Sequence, residues 1–306
     1  MPRLTRSTLL PILAGGMSLL ADDPVLAHGF AGERFFPATI LTDDPFVADE
    51  MSLPTVTFNP TASDGSKETD TGFDIAKRIT PDFGFTLGQD WIHTRNSDQS
   101  TSKGWSALTT GLQYQLFIDG PSETMALAGL GVTWAHTGAK ATASPDFTTL
   151  SPTFDFGKGF GGLPESLSWL RPLAITGNLS VDFPTKAQSA DGSINPNVLN
   201  VGFAFEYSLE YLQHHVKDVG LGAPFDRVIP LVEVAVSSPF NRGQAGQTTG
   251  TVQPGVIWAG QYMQIGAEAI IPINSRTGHG VGAVIQLHFY LDDLFPHSIG
   301  KPLFGG

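Results

Sequence analysis

An all-β fold, a transmembrane antiparallel β-barrel of about twelve strands, is what this sequence predicts, on three observations. Apolar and polar residues alternate with a period of two through most of the chain, and only 15% of its 306 residues are Asp, Glu, Lys or Arg. The connections between alternating stretches are long and polar at one end of the strands and mostly tight at the other. A soluble domain carries roughly 25% charged residues, so a chain this poor in charge lacks the material for a wholly water-exposed surface.

The chain opens with MPRLTRSTLLPILAGGMSLLADDPVLAHGF. Arg3 and Arg6, the apolar run to Ala21 and the small-residue pattern ending at Ala27 predict a cleaved secretory signal over 1–27. The run is too short for a spanning helix, and no later segment supplies one, so membrane entry by the mature chain requires strands. Residues 28–52 are expected to form a periplasmic or plug segment, 53–291 the barrel, and 292–306 a periplasmic tail.

Within the barrel region, strands are expected over 53–60, 69–79, 82–94, 105–118, 124–137, 148–160, 172–184, 197–213, 227–238, 250–259, 261–273 and 280–291. VGFAFEYSLEY places Val201, Phe203 and Phe205 opposite Gly202, Ala204 and Glu206, and VGAVIQLHFYL places Ile285, Leu287 and Phe289 opposite Gln286 and His288. The polar face is built mainly of Gly, Ser, Thr, Asn and Gln, which suits a crowded wet interior better than an open surface. On the apolar face a mid-strand Lys or Arg turned to lipid would cost about 2–4 kcal/mol, and almost none occurs. Lys77 and Lys158 share that face but lie near strand ends, where a long side chain can snorkel. The apolar face is therefore expected to meet lipid, with Trp91, Trp134, Tyr211 and Trp258 as its interfacial girdle. Gln89 on the lipid face and Pro254 within a strand are reconciled by a bulge. One helical turn is expected, at PESLSW, from Pro164 to Trp169.

The lumen is expected to be lined by Asp182, Glu206, Glu210, Glu233 and Glu268, with Asn178, Gln286, His288 and Arg78. Acids on that face outnumber bases, which predicts a pore favouring cations or neutral polar solutes over anions; the equal alternative is that these groups hydrogen-bond one another and the barrel's own dipoles or rest against a plug. A net charge of -12 argues against a nucleic-acid partner, and the absence of cysteine removes disulfides, thiolate metal sites and a cysteine nucleophile. His93 in WIHT and His136 in WAHT invite comparison with an outer-membrane lipid-modifying enzyme. Two equivalent copies and the absence of a GxSxG elbow speak against a catalytic centre, and no catalytic residue, metal or cofactor is expected. His214 and His215 point to opposite faces of a strand, and His28 would chelate copper only with a second histidine beside it. A secreted soluble β-sandwich that binds ligands is the remaining alternative.

The segment HGFAGERFFPATILTDDPFVADEMSLPT and the ending FYLDDLFPHSIGKPLFG resemble the bacterial outer-membrane family named for the MetA pathway of phenol degradation. The resemblance implies a transporter-like barrel in the outer membrane of a Gram-negative bacterium, passing small solutes, aromatic compounds among them. The partners expected are outer-membrane lipid, lipopolysaccharide, the barrel assembly machinery and the solute. Unlike barrels that end on a terminal aromatic strand, this chain continues well past Leu291.

Overall fold

The computed structural model describes residues 29–305; the predicted signal sequence and His28 lie outside the described residues. A two-residue hairpin, β1 (Phe30–Ala31) with β2 (Arg34–Phe35), precedes the wall. The wall consists of β3 (Glu50–Phe58), β4 (Lys67–Thr80), β5 (Phe83–Arg95), β6 (Thr101–Trp105), β7 (Thr109–Asp119), β8 (Thr124–Thr133) and β9 (Thr149–Gly159). It continues through β10 (Leu173–Pro184), β11 (Val198–Tyr207), β12 (Val228–Pro239), β13 (Thr249–Ala259), β14 (Met263–Pro272) and β15 (Gly282–Tyr290). Every neighbour pair is antiparallel, β15 pairs with β3, and β4 pairs with both β3 and β5, so the sheet closes. β6 and β7 pair with the two halves of β5 and act as one interrupted wall strand, giving a closed 12-strand barrel. Among the described residues no helix is long and apolar enough to cross a membrane.

The direction of the two faces follows from exposure. Leu179 (46% exposed), Phe203, Val256 and Ile285 stand on the outside in mid-strand, whereas Thr176, Gly202, Ala204, Gln253 and Gln286 are buried inside. In water an outer surface of this kind would be a single large apolar patch; against hydrocarbon it is the face a barrel needs.

Several local expectations are corrected. The eighth strand stops at Tyr207 rather than 213, because the Ser208 side chain accepts the Tyr211 N–H and starts a helical turn over Leu209–Tyr211. Glu210 is therefore exposed on that turn and lines no lumen, and Tyr211 is buried at the barrel mouth instead of facing lipid. His214 and His215 belong to the helical segment Leu212–Val216 and not to a strand. The strand expected over 105–118 breaks between Trp105 and Thr109, and the Ser106 carbonyl freed there accepts from Gln89 Nε2 at 2.9 Å. Gln89 thus needs no bulge. Pro254 needs none either: pairing of β13 to β14 lapses at Gln253 and Pro254, while the register on both sides is unchanged. The turn expected at PESLSW is present as Glu165–Leu170.

The strands' polar loops lie at one end (the loop end) and the tighter turns at the other (the turn end), where both the N-terminal and C-terminal segments also sit. At the turn end the lumen is not wet. Phe36, Phe46 and Ala48 pack with Met125 and Ala174, and Phe35 packs on Ile229, Leu231, Ile257 and Ala259. The C-terminal tail crosses beneath β4, where Leu303 and Phe304 donate backbone N–H groups to the carbonyls of Arg78 and Ile79.

Candidate functional site

The candidate site is the lumen, and its shape is set by residues 36–49 running through it. Wall groups hold this segment and the hairpin before it at several heights. At the turn end the fully buried Arg34 donates Nε to Glu123 Oε2 (3.2 Å) and Nη1 to the Pro172 carbonyl (2.9 Å). Its guanidinium lies 3.7 Å from the Tyr211 ring centroid, and the Tyr211 hydroxyl donates to Glu123 Oε1 at 2.8 Å. Burial and this carboxylate push the Tyr211 pKa up to about 12. Higher in the lumen, Gln115 uses both ends of its amide: Oε1 accepts from Val47 N–H (3.0 Å) and Nε2 donates to the Pro45 carbonyl (3.0 Å).

The tip, Thr39 to Asp44, is held by Glu233. Its carboxylate is fully buried and accepts three successive backbone N–H groups, from Ile40 (2.8 Å), Leu41 (2.9 Å) and Thr42 (2.7 Å). Three donors converging on one carboxylate form an anion nest, with the carboxylate supplied by the wall. Gln264 donates to the Ala38 carbonyl beside it. Gly266 makes room, since a Cβ there would come within 2.6 Å of Ile40 Cδ1. Where the segment rejoins the wall, Asp49 accepts from the Arg78 N–H and Nε, both at 2.8 Å, and Arg78 Nη2 donates to the Gly300 carbonyl of the tail (3.2 Å).

These contacts press the segment against β11–β14 and leave space on both sides of its tip. A cavity of about 350 Å³ separates the tip from β4, β5 and β7–β9. Gly88, Gly111, Gly129 and Gly131 widen it, and Asp43, Asp44, Glu50, Asp74 and Asp155 line it without any Lys or Arg. Burial, reinforced by the charge of Glu50, raises the Asp44 pKa well above the ordinary carboxylate range. A second cavity of about 470 Å³ lies on the other side, floored by Ile40, Leu41, Ile270 and Val284 and rimmed by Thr55, Thr57 and Gln253.

The expected lumen residues divide accordingly. Glu206 is buried and accepts from Thr176 Oγ1 (3.1 Å), while Glu268 is buried and folds across Gly255, whose Cβ would stand 2.3 Å from its Cγ. With Glu233 they form the wall behind the segment rather than the lining of open space. Asp182, near the loop end, accepts from Ser151 Oγ (2.6 Å) and Asn200 Nδ2 (2.9 Å). Asn178 reaches the tip, donating Nδ2 to Asp43 (3.0 Å). Gln286 and His288 border the acidic cavity; His288 Nδ1 shares a hydrogen bond with Ser52 Oγ (2.9 Å), and its Nε2 lies 3.3 Å from Glu50. Sequence parity missed Asp43, Asp74 and Asp155, which line the open side, and Arg34, Asp49, Gln115 and Glu123, which hold the segment.

Outside, Trp91 meets Trp105 edge-on at 5.4 Å, and Trp134 donates Nε1 to Thr110 (2.9 Å); both lie toward the loop end. Trp258 lies at the turn end, its Nε1 donating to the Pro224 carbonyl (3.0 Å). His93 is on the outer face of β5 and His136 in the loop after β8. Among the described residues neither imidazole has a hydrogen-bonded serine or carboxylate. No group of three or more His, Asp or Glu among the described residues is placed to hold a metal.

No family model and no curated relative matches the chain. Among solved structures, the COG4313 outer membrane channel from Pseudomonas putida F1 is similar with a TM-score of 0.53 at 10% identity, over 84% of this chain and 99% of that one. The NanC porin gives 0.49 at 8% identity, over 78% and 98%, and the β domain of the Bordetella autotransporter BrkA 0.43 at 13%, over 80% and 99%. At such identities the first likeness speaks for the fold: a closed antiparallel barrel of the outer-membrane kind.

Proposed function

We propose that this protein is an outer-membrane channel of a Gram-negative bacterium that passes small cationic or neutral polar solutes along the β4–β9 side of its lumen. The observation that carries this reading is the acidic cavity beside the tip, lined by five carboxylates and neither Lys nor Arg. A pore wall of one sign lowers the energy of the opposite ion within it and raises that of its own. The turn end is then periplasmic and the polar loops extracellular, as in barrels of this type. Residues 36–49 act as a plug that is packed against the wall at the turn end and narrows the lumen above it, so passage requires the plug to shift at that end. The apolar outer face agrees with the naming of one similar structure as an outer membrane channel. Lipopolysaccharide is expected against the loop end, and the assembly machinery is expected to close β15 on β3.

A second reading concerns the solute. The Ile40–Leu41–Ile270–Val284 floor offers a neutral, partly apolar surface across the tip, which suits a small aromatic compound of the kind the MetA-pathway resemblance implies. Liposome swelling with a panel of sugars, amines and phenols separates the two. Faster entry of amines than of sugars of equal size supports the acidic path, preference for phenols supports the apolar one, and no swelling with any solute overturns the channel.

A further inference from the structure

Two connections at the turn end are too long for their task. Residues 160–172 and 208–227 join adjacent antiparallel strands, for which a few residues suffice. Both fold outward. The Tyr207 hydroxyl, on the outer face of β11, donates to the Trp169 carbonyl at 3.0 Å, and Trp258 Nε1, on the outer face of β13, donates to the Pro224 carbonyl at 3.0 Å. The two connections also meet each other, since Lys217 Nζ lies 5.6 Å from the Trp169 ring centroid. The first is internally braced, with Arg171 donating Nε to the Leu163 carbonyl (2.7 Å) and pairing with Glu165 at 3.1 Å. On this braced ledge stand Leu167, Trp169 (54% exposed), Leu170, Val219 and Phe225 (67% exposed).

We infer that these connections form a shelf that inserts into the headgroup layer of the periplasmic leaflet, on the β10–β13 side of the barrel only. The shelf is continuous with the outer apolar face through Tyr207 and Trp258, so the surface next to it is already hydrocarbon. A tryptophan beneath a lysine is the pairing that suits this depth, with the ring at the headgroup level and the ammonium reaching water or phosphate. The other turn-end connections, 81–82, 120–123 and 260–262, are too short to make such a ledge. The inference rests on the reading of the barrel as membrane-embedded.

The chain contains no cysteine, so a single introduced one carries a unique spin label. Labels are placed separately by Leu167→Cys and Phe225→Cys on the shelf, Leu179→Cys on the mid-belt and Ser97→Cys in an extracellular loop. The protein is reconstituted in phospholipid vesicles, its folding verified by heat-modifiable gel migration. Collision of the label with oxygen, which partitions into lipid, is compared with collision with a water-soluble nickel chelate. At both shelf positions the ratio should fall between Leu179 and Ser97 and shift toward water when the same protein is moved from vesicles into a lipid-free polymer. Shelf labels that match Ser97 while Leu179 reads as lipid overturn the shelf alone, including the case in which the ledge serves a periplasmic protein. A Leu179 label that reads as water overturns the membrane-embedded barrel and the shelf with it.

Discussion

Replacing Glu233 with Gln should release the tip of the luminal segment while leaving the barrel intact. Oε1 accepts from Ile40 and Oε2 from Leu41 and Thr42. An amide keeps one acceptor oxygen, so at best two of the three N–H groups stay bonded, and those two lose the assistance of the charge. With about 1.5–3 kcal/mol for a hydrogen bond to a charged group, the substitution should weaken the seat by about 2–4 kcal/mol. That corresponds to roughly a 30- to 700-fold rise in the released population. Hydrogen exchange of the amides of residues 40–42 reads this directly, because they can exchange only when the tip leaves Glu233. Exchange should accelerate there and not in β12 or β13, with larger or noisier single-channel currents in parallel. Unchanged exchange at 40–42 in both Glu233→Gln and Glu233→Ala would refute the latch.

The acidic path predicts that Asp74→Asn and Asp155→Asn each move the reversal potential in a salt gradient toward zero, and that the double substitution moves it further. Gly88→Val should slow swelling, because a Cβ at that position would stand 2.0 Å from Asp74 Oδ1 and the added bulk must turn into the cavity. Leu179→Arg should destabilise the barrel by about 2–4 kcal/mol, seen in urea titration of refolded protein in vesicles, since the charge would sit in mid-belt hydrocarbon. The pKa of Asp44 is raised, so the seated segment binds a proton that the released one gives up. Linkage therefore favours seating below the ordinary carboxylate range and progressively less as pH rises through the raised value. Amide exchange at 40–42 should quicken across that interval, and Asp44→Asn should flatten the dependence.

Much of the wall was legible because lipid leaves a simple mark: one face of every strand must be apolar, and a single-residue slip would turn that face inward. The strand boundaries that failed did so where a local hydrogen bond won over alternation. Ser208 caps a helical turn inside what reads as the continuous pattern VGFAFEYSLEY, and so moves Glu210 and Tyr211 out of the wall. The interior was less legible. Parity places Glu206, Glu233 and Glu268 inside, but it cannot distinguish an inner face that meets water from one that meets a second segment of the same chain. A partial signal existed in Met125, Leu127, Ile229 and Leu231, apolar residues on inward positions near one end, which only a packed filler could cover. The open side was hidden by its glycines, since Gly88, Gly111, Gly129 and Gly131 read as weak strand formers, not as the clearance that leaves Asp74 and Asp155 facing a cavity.

Ions that cross a lipid-embedded barrel along its acidic wall set its reversal potential, and that potential, recorded for the purified protein in a planar bilayer under a potassium chloride gradient, is the most direct test. A potential of the sign set by potassium, diminished in the Asp74→Asn/Asp155→Asn protein, is the predicted result. A potential of the sign set by chloride, or one indifferent to both substitutions, would contradict it.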